Sequence, residues 1–209
     1  MNKIEIKTIV IGMVSTNCML ITNKATGETL IIDPGYEAER ISKEITKLNI
    51  QPVAILLTHG HFDHVMAVDE LRDEYNIPVY ICKDEEELLG SSILNHSAKY
   101  GIAYQTKADE LLNDNQRLCL AGINIEVIHT PGHTSGSCCY YLPDEALLIS
   151  GDTLFYGTVG RTDFETSSGA DMRLSIKRLL TTLPEDVQVL PGHGDSTTIG
   201  HEKRYNPFA

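Results

Sequence analysis

Residues 58–64 read THGHFDH, which places three histidines and an aspartate within six positions of a 209-residue chain that holds only eight histidines. Imidazole and carboxylate together are the ligands of borderline metal ions, so the backbone that carries this stretch decides the architecture. Immediately upstream, residues 52–58 (PVAILLT) form a continuous apolar run behind a proline, as expected of a strand buried on both faces. That strand delivers His59 to its C-terminal end.

Working outward, the β-rich runs IEIKTIVIG (4–12), NCMLIT (17–22) and TLIID (29–33), with a turn at NKATGE (23–28), predict a three-stranded meander. Ile41, Ile45 and Leu48 fall at i, i+4 and i+7 and predict a helix over 37–48. Beyond the histidine stretch come a helix from about His64 to Glu74, a strand at PVYIC (78–82) and an acidic helical start at DEEELLG (84–90). Residues 91–115 show little periodicity and read as irregular. The second half repeats the plan: a hairpin over 117–130, strands at SCCYYL (137–142) and ALLIS (146–150), and a helix carrying Met172, Ile176, Leu179, Leu180 and Leu183. The stretch VQVLPGH (187–193) then closes the sheet. Strands followed by a helix, twice over, predict an α/β sandwich of two sheets with helices outside, in a single domain spanning 1–209.

Composition narrows the function classes. Seventeen Lys and Arg against 29 Asp and Glu give a net charge of −12, with no run of five like charges, which argues against nucleic acid or an anionic membrane as partner. The N-terminal stretch has no continuous apolar segment with a small-residue cleavage site, and no 18-residue apolar window exists, so a cytoplasmic location is expected. Cys18, Cys82, Cys119, Cys138 and Cys139 form no CxxC pair and read as small apolar residues in a reducing compartment.

Seven candidate metal ligands lie just beyond predicted strands. His59, His61, Asp63 and His64 follow AILLT, His133 follows IEVIHTPG, Asp152 follows ALLISG and His193 follows VQVLPG. Gly60, Gly132, Gly151, Gly192 and Gly194 flank them and suit tight turns. Five histidines and two aspartates exceed the four ligands of a structural zinc site and fit two metals, one carboxylate bridging them, with solvent positions left open. His96, His129 and His201 read instead as histidines that cap turns or fill polar pockets.

The ordered pattern His59-x-His61-x-Asp63-His64, then His133, Asp152 and His193, resembles the metallo-β-lactamase fold hydrolases. The stretches TPGHTSGS (130–137), GDTLFYGTVGR (151–161) and PGHGDSTTIGHEKRYNPF (191–208) look like the compact glyoxalase II-like, or hydroxyacylglutathione hydrolase-like, branch. The resemblance implies a four-layer αββα sandwich. It implies one metal on His59, His61 and His133, a second on Asp63, His64 and His193, and Asp152 between them. Zinc is the expected ion, with iron or manganese as alternatives. The implied reaction is attack of a metal-bridging hydroxide, oriented by Asp63, on a small-molecule thioester such as S-lactoylglutathione.

Aspartate rather than cysteine at 152 points away from a true β-lactamase, histidine rather than glutamate at 61 from the flavodiiron oxygen reductases, and the acidic balance from the tRNA-processing nucleases. A persulfide dioxygenase-like reading, with a single iron on His59, His133 and Asp152, shares the same ligands, as does a hydrolase of lactones or other esters. The GHGDSTTIGHEKR end (192–204) favours the thioester hydrolase. Two divalent ions outweigh Asp63, Asp152 and a hydroxide, so the core of the site is expected to be positive inside a negative protein, and Arg161 is a candidate second cation at its rim for an anionic substrate.

Overall fold

The meander forms as expected in the structure, a computed structural model that describes residues 3–209: β1 (Ile4–Ile11), β2 (Thr16–Asn23) and β3 (Glu28–Ile32) pair antiparallel in sequence order. The helix α1 (Ala38–Leu48) buries Ile41 and Ile45, while Leu48 is 37% exposed because the chain turns away at Asn49, which adopts a left-handed conformation (φ 54°). The strand β4 (Gln51–Leu56) then adds parallel to β3.

The helix expected over 64–74 is in fact two. A single turn, α2 (Phe62–Val65), carries Asp63 and His64, and α3 (Val68–Tyr75) starts afresh after Ala67, whose N–H donates to the carbonyl of Pro34 (3.0 Å). The break lets α2 point its side chains at the end of β4 while α3 packs along the sheet. Next come β5 (Val79–Cys82), the short α4 (Glu86–Leu89) and β6 (Glu110–Leu112), which complete a six-stranded mixed sheet in the order β1-β2-β3-β4-β5-β6. The stretch 91–115, expected to be irregular, holds β6 and a 3-10 turn at Ser97–Tyr100; both are too short to impose a periodicity on the sequence.

The second sheet contains β7 (Arg117–Leu120), β8 (Ile123–His129), β9 (Cys138–Leu142) and β10 (Leu147–Gly151). A small hairpin, β11 (Leu154–Phe155) with β12 (Thr158–Val159), and the helix α5 (Gly169–Thr182) follow, then β13 (Gln188–Pro191), β14 (Thr197–Thr198) and α6 (Ile199–Tyr205). Its order is β14-β13-β10-β9-β8-β7, so β14 rather than β13 forms the edge. The helix α6 has too few apolar residues to announce itself. It is fixed by its cap, where the Thr198 hydroxyl accepts from His201 N–H (3.1 Å), and by Glu202, a buried carboxylate that accepts from Gly157 N–H (2.9 Å) and the Asn206 amide (2.7 Å).

Three apolar cores make four layers. Met19, Ile21, Leu30 and Leu56 of the first sheet meet Ile125, Val127, Tyr140 and Ile149 of the second. The outer face of the first sheet packs on α1 and α3 through Leu20, Ile31, Ile55, Ile41 and Leu71, and that of the second on α5 through Leu148, Val189, Met172 and Ile176. The inter-sheet core also reaches the end of β4. There the Tyr140 hydroxyl donates to the Leu57 carbonyl (2.7 Å) and Cys138 N–H to that of Thr58 (2.9 Å), so the strand that launches His59 is stitched to the opposite sheet. Among the described residues no helix is long and apolar enough to cross a membrane.

Candidate metal centre

Four strand ends converge at one edge of the sandwich. His59 and His61 leave β4, Asp63 and His64 lie on α2, His133 leaves β8, Asp152 leaves β10 and His193 leaves β13. The first four and His133 are buried, while the Asp152 and His193 side chains keep 11% and 26% of their surface exposed. Bringing the strand ends this close requires glycine. A Cβ on Gly192 would collide with Asp152 Oδ1, and one on Gly151 (φ 48°) with the Thr58 hydroxyl.

The donor atoms group into sets within 4.8 Å: His59, His61 and His133; Asp63, His64 and His193; and Asp152 with His59 and His64. His61 Nδ1 faces His133 Nε2 at 2.9 Å, and His193 Nε2 lies 3.2 Å from Asp63 Oδ2. Asp152 sits between the sets, 3.5 Å from the Nε2 atoms of His133 and His193 and 3.6 Å from that of His64.

Which nitrogen faces inward is set by what the other one touches. His133 Nδ1 donates to the Arg161 carbonyl (2.9 Å), His193 Nδ1 to the Val14 carbonyl (3.1 Å) and His64 Nδ1 to Asp33 Oδ2 (3.0 Å). The Thr58 hydroxyl donates to Asp33 Oδ2 (2.7 Å) and accepts from His59 Nδ1 (3.1 Å). Each contact holds a proton on Nδ1 and turns Nε2 towards the centre, the orientation that a metal requires.

The electrostatics fit cations. Burial, reinforced by neighbouring imidazoles, holds His59 and His61 well below the ordinary histidine range. Burial opposes charge on Asp63 and His64 too, but there the opposite charges win. The surrounding imidazoles hold Asp63 well below the usual carboxylate range, and Asp63, Asp152 and Asp33 hold His64 well above its ordinary value. His59 Nε2 and Asp152 Oδ1 are buried without a hydrogen-bond partner, which is costly for a polar atom unless a ligand meets it. Bare, buried, convergent nitrogen and carboxylate donors are what a divalent ion satisfies.

The centre forms the floor of a cavity of about 570 Å³ whose walls include Phe62, Tyr100, Phe155 and Phe164. Arg161 lines it, with its guanidinium on the exposed Asp163 (2.9 and 2.8 Å) and 4.6 Å over the Phe164 ring. His96, set apart from the site by the sequence reading, stacks 5.1 Å from His61 in the cavity wall. His129 donates to the Ser135 carbonyl (3.0 Å) and His201 stacks on Tyr156, both outside the centre. All five cysteines are free thiols, and only Cys119 is exposed.

A family model described as the metallo-beta-lactamase superfamily matches residues 11–193. Among relatives, the probable metallo-hydrolase YqgX of Bacillus subtilis is 40% identical over 200 residues (95% of this chain, 94% of that protein). The hydroxyacylglutathione hydrolase GloC of Haemophilus influenzae is 36% identical over 210 residues (98% and 97%). Among solved structures, the B3 metallo-beta-lactamase BLEG-1 superposes with a TM-score of 0.93 at 40% identity, over 98% of this chain and 99% of the other. TTHA1623 in a di-iron-bound form gives 0.87 at 35% identity, over 97% and 100%.

Proposed function

The chain belongs to the metallo-beta-lactamase superfamily, and from that membership we propose that it hydrolyses thioesters of the hydroxyacylglutathione kind with two divalent ions. The observation that carries the reading is the convergence of seven donor groups, more than one ion uses, at the floor of an aromatic-walled cavity. The identity to GloC along nearly the whole chain supports the substrate class.

His59, His61 and His133 would hold one ion and Asp63, His64 and His193 the other, with Asp152, which lies between the two sets, available to both. Bound there, the ions would acidify a shared water and polarise the carbonyl oxygen of a substrate. Asp63, whose Oδ2 accepts a hydrogen bond from the Thr16 hydroxyl (3.1 Å), would take a hydrogen bond from the attacking water. Phe62, Phe155 and Phe164 exclude bulk solvent and offer apolar surface to the acyl and thiol parts of the substrate. A leaving thiol with a pKa near 8.5 departs as thiolate, so no buried acid is needed to protonate it. Zinc suits the donor set, and iron is the alternative that the di-iron-bound relative brings forward.

The test is release of glutathione from S-lactoylglutathione by metal-reconstituted protein under anaerobic conditions, followed with a thiol reagent. Metal-dependent release, abolished by a chelator, is expected. Absence of release, with oxygen uptake on glutathione persulfide or opening of a β-lactam in its place, would replace the thioesterase reading.

A further inference from the structure

We propose that Glu85, a buried carboxylate outside the ring of donors, is a positioning residue that sets the spacing between the two loops carrying the three-histidine half of the centre. Glu85 ends the 3-10 turn Lys83–Glu85 between β5 and α4 and is 0% exposed. Its Oε2 accepts from Gly60 N–H (2.8 Å) and its Oε1 from Gly136 N–H (2.7 Å). Gly60 separates His59 from His61, and Gly136 lies three residues after His133 in the loop between β8 and β9. One planar group therefore grips both loops at once.

Both glycines are fitted to this grip. A Cβ on Gly60 would lie 2.6 Å from Leu88 Cδ2 and 3.4 Å from Glu85 Oε2, while one on Gly136 would lie 2.5 Å and 2.6 Å from the backbone of Asp84 and Glu85. The tolerance they protect is small, since His61 Nδ1 and His133 Nε2, one from each loop, stand only 2.9 Å apart. Donor sets must be held within about 0.5 Å of their working geometry to bind an ion tightly. Glu85 has no ion pair among the described residues, and burial pushes its carboxyl from 4.5 up to about 7. The fold retains an acid at a position where an apolar side chain would be buried without that penalty, and the two N–H groups it accepts from explain why.

The inference rests on the centre binding metal and not on the thioester reading, so a failure of thioesterase activity would leave it standing. Its test is titration of metal-free, full-length protein with cobalt(II), followed by visible absorption and paired with thermal melts, on wild type, Glu85→Gln, Glu85→Ala and Ile41→Ala. Ile41, on the buried face of α1, serves as a control that loses stability without touching either loop. Both Glu85 variants should bind cobalt at least tenfold more weakly, with an altered spectrum, while Ile41→Ala melts lower and binds within twofold of wild type. Should the alanine variant fail to fold, the nearly isosteric glutamine variant decides. If that variant folds only with cobalt present, the inference is supported. A folded Glu85→Gln with wild-type affinity and spectrum, or one that stays unfolded at saturating cobalt, overturns it.

Discussion

Asp33→Asn replaces one carboxylate oxygen by an amide nitrogen at a point where three donors converge. Asp33 accepts from Thr58 N–H (2.8 Å) through Oδ1, and from the Thr58 hydroxyl (2.7 Å) and His64 Nδ1 (3.0 Å) through Oδ2. Its backbone is left-handed (φ 47°), a conformation asparagine tolerates, so the substitution leaves the main chain alone. The amide oxygen can keep the Thr58 N–H, but its NH₂ group then faces an O–H and an N–H. The hydroxyl can rotate, whereas the imidazole escapes only by moving its proton to Nε2, which removes His64 from the donor set. Losing one hydrogen bond to a charged acceptor should destabilise the metal-free protein by about 2 kcal/mol. Disturbing a partner of a metal-binding histidine weakens affinity about 10- to 100-fold, or roughly 1.4 to 2.7 kcal/mol. Denaturant melts of metal-free protein and cobalt titration measure the two effects separately. If Asp33→Asn binds both metal equivalents within twofold of wild type, the tautomer argument for His64 is wrong.

Asp152→Ala should leave less than one tightly bound metal per chain and under a tenth of wild-type turnover, because Asp152 faces both donor sets; elemental analysis showing two retained ions would remove it from between them. Arg161→Ala should raise KM for glutathione thioesters several-fold at low ionic strength, converge with wild type at high salt and keep metal content, since the Arg161 carbonyl that holds His133 survives the change. An unchanged KM at low salt would assign the side chain to bracing Asp163. Glu85 supplies a pH dependence with a definite sign. Its folded carboxyl titrates at about 7 against 4.5 unperturbed, so it stabilises the metal-free fold most below pH 4.5 and that contribution, roughly 3 kcal/mol, is lost as pH rises from 4.5 to about 7. Wild type should therefore lose stability relative to Glu85→Gln across that window and track it above; a difference that stays flat between pH 4.5 and 7 would contradict the assigned burial.

The fold was legible wherever burial imposed a period on the chain. The apolar run of β4 and the spacing of Met172, Ile176 and Leu179 on α5 are direct images of two-sided and one-sided burial. Elements fixed by polar contacts left no such mark on the sequence. The break between α2 and α3 depends on one backbone hydrogen bond to Pro34, and α6 depends on a threonine cap and the buried Glu202. None of these contacts repeats along the chain, so no periodicity marks them. Leu48 departs in the opposite way, since helical spacing cannot tell that the chain turns away at Asn49.

The site divides along the same line. Donors were readable because only a few side chains can bind a metal, and a cluster of them is improbable without one. Their supports carry no such restriction. His133 and His193 are oriented by the main-chain carbonyls of Arg161 and Val14, atoms that every residue possesses, so the identity of either residue says nothing about the contact. Asp33 and Glu85 use side chains, yet each stood inside a stretch with a sufficient local explanation, the end of the predicted strand TLIID and an acidic helix start. What separates them from ordinary surface acids is complete burial beside backbone N–H groups on loops that the chain reaches only after folding. One signal was available in principle. Glycines beside ligands mark a close approach, and a close approach needs a counterpart; for Gly60 and Gly136 that counterpart is the segment carrying Glu85. Glycines next to candidate donors are therefore places to look for the acids that hold a metal site in register.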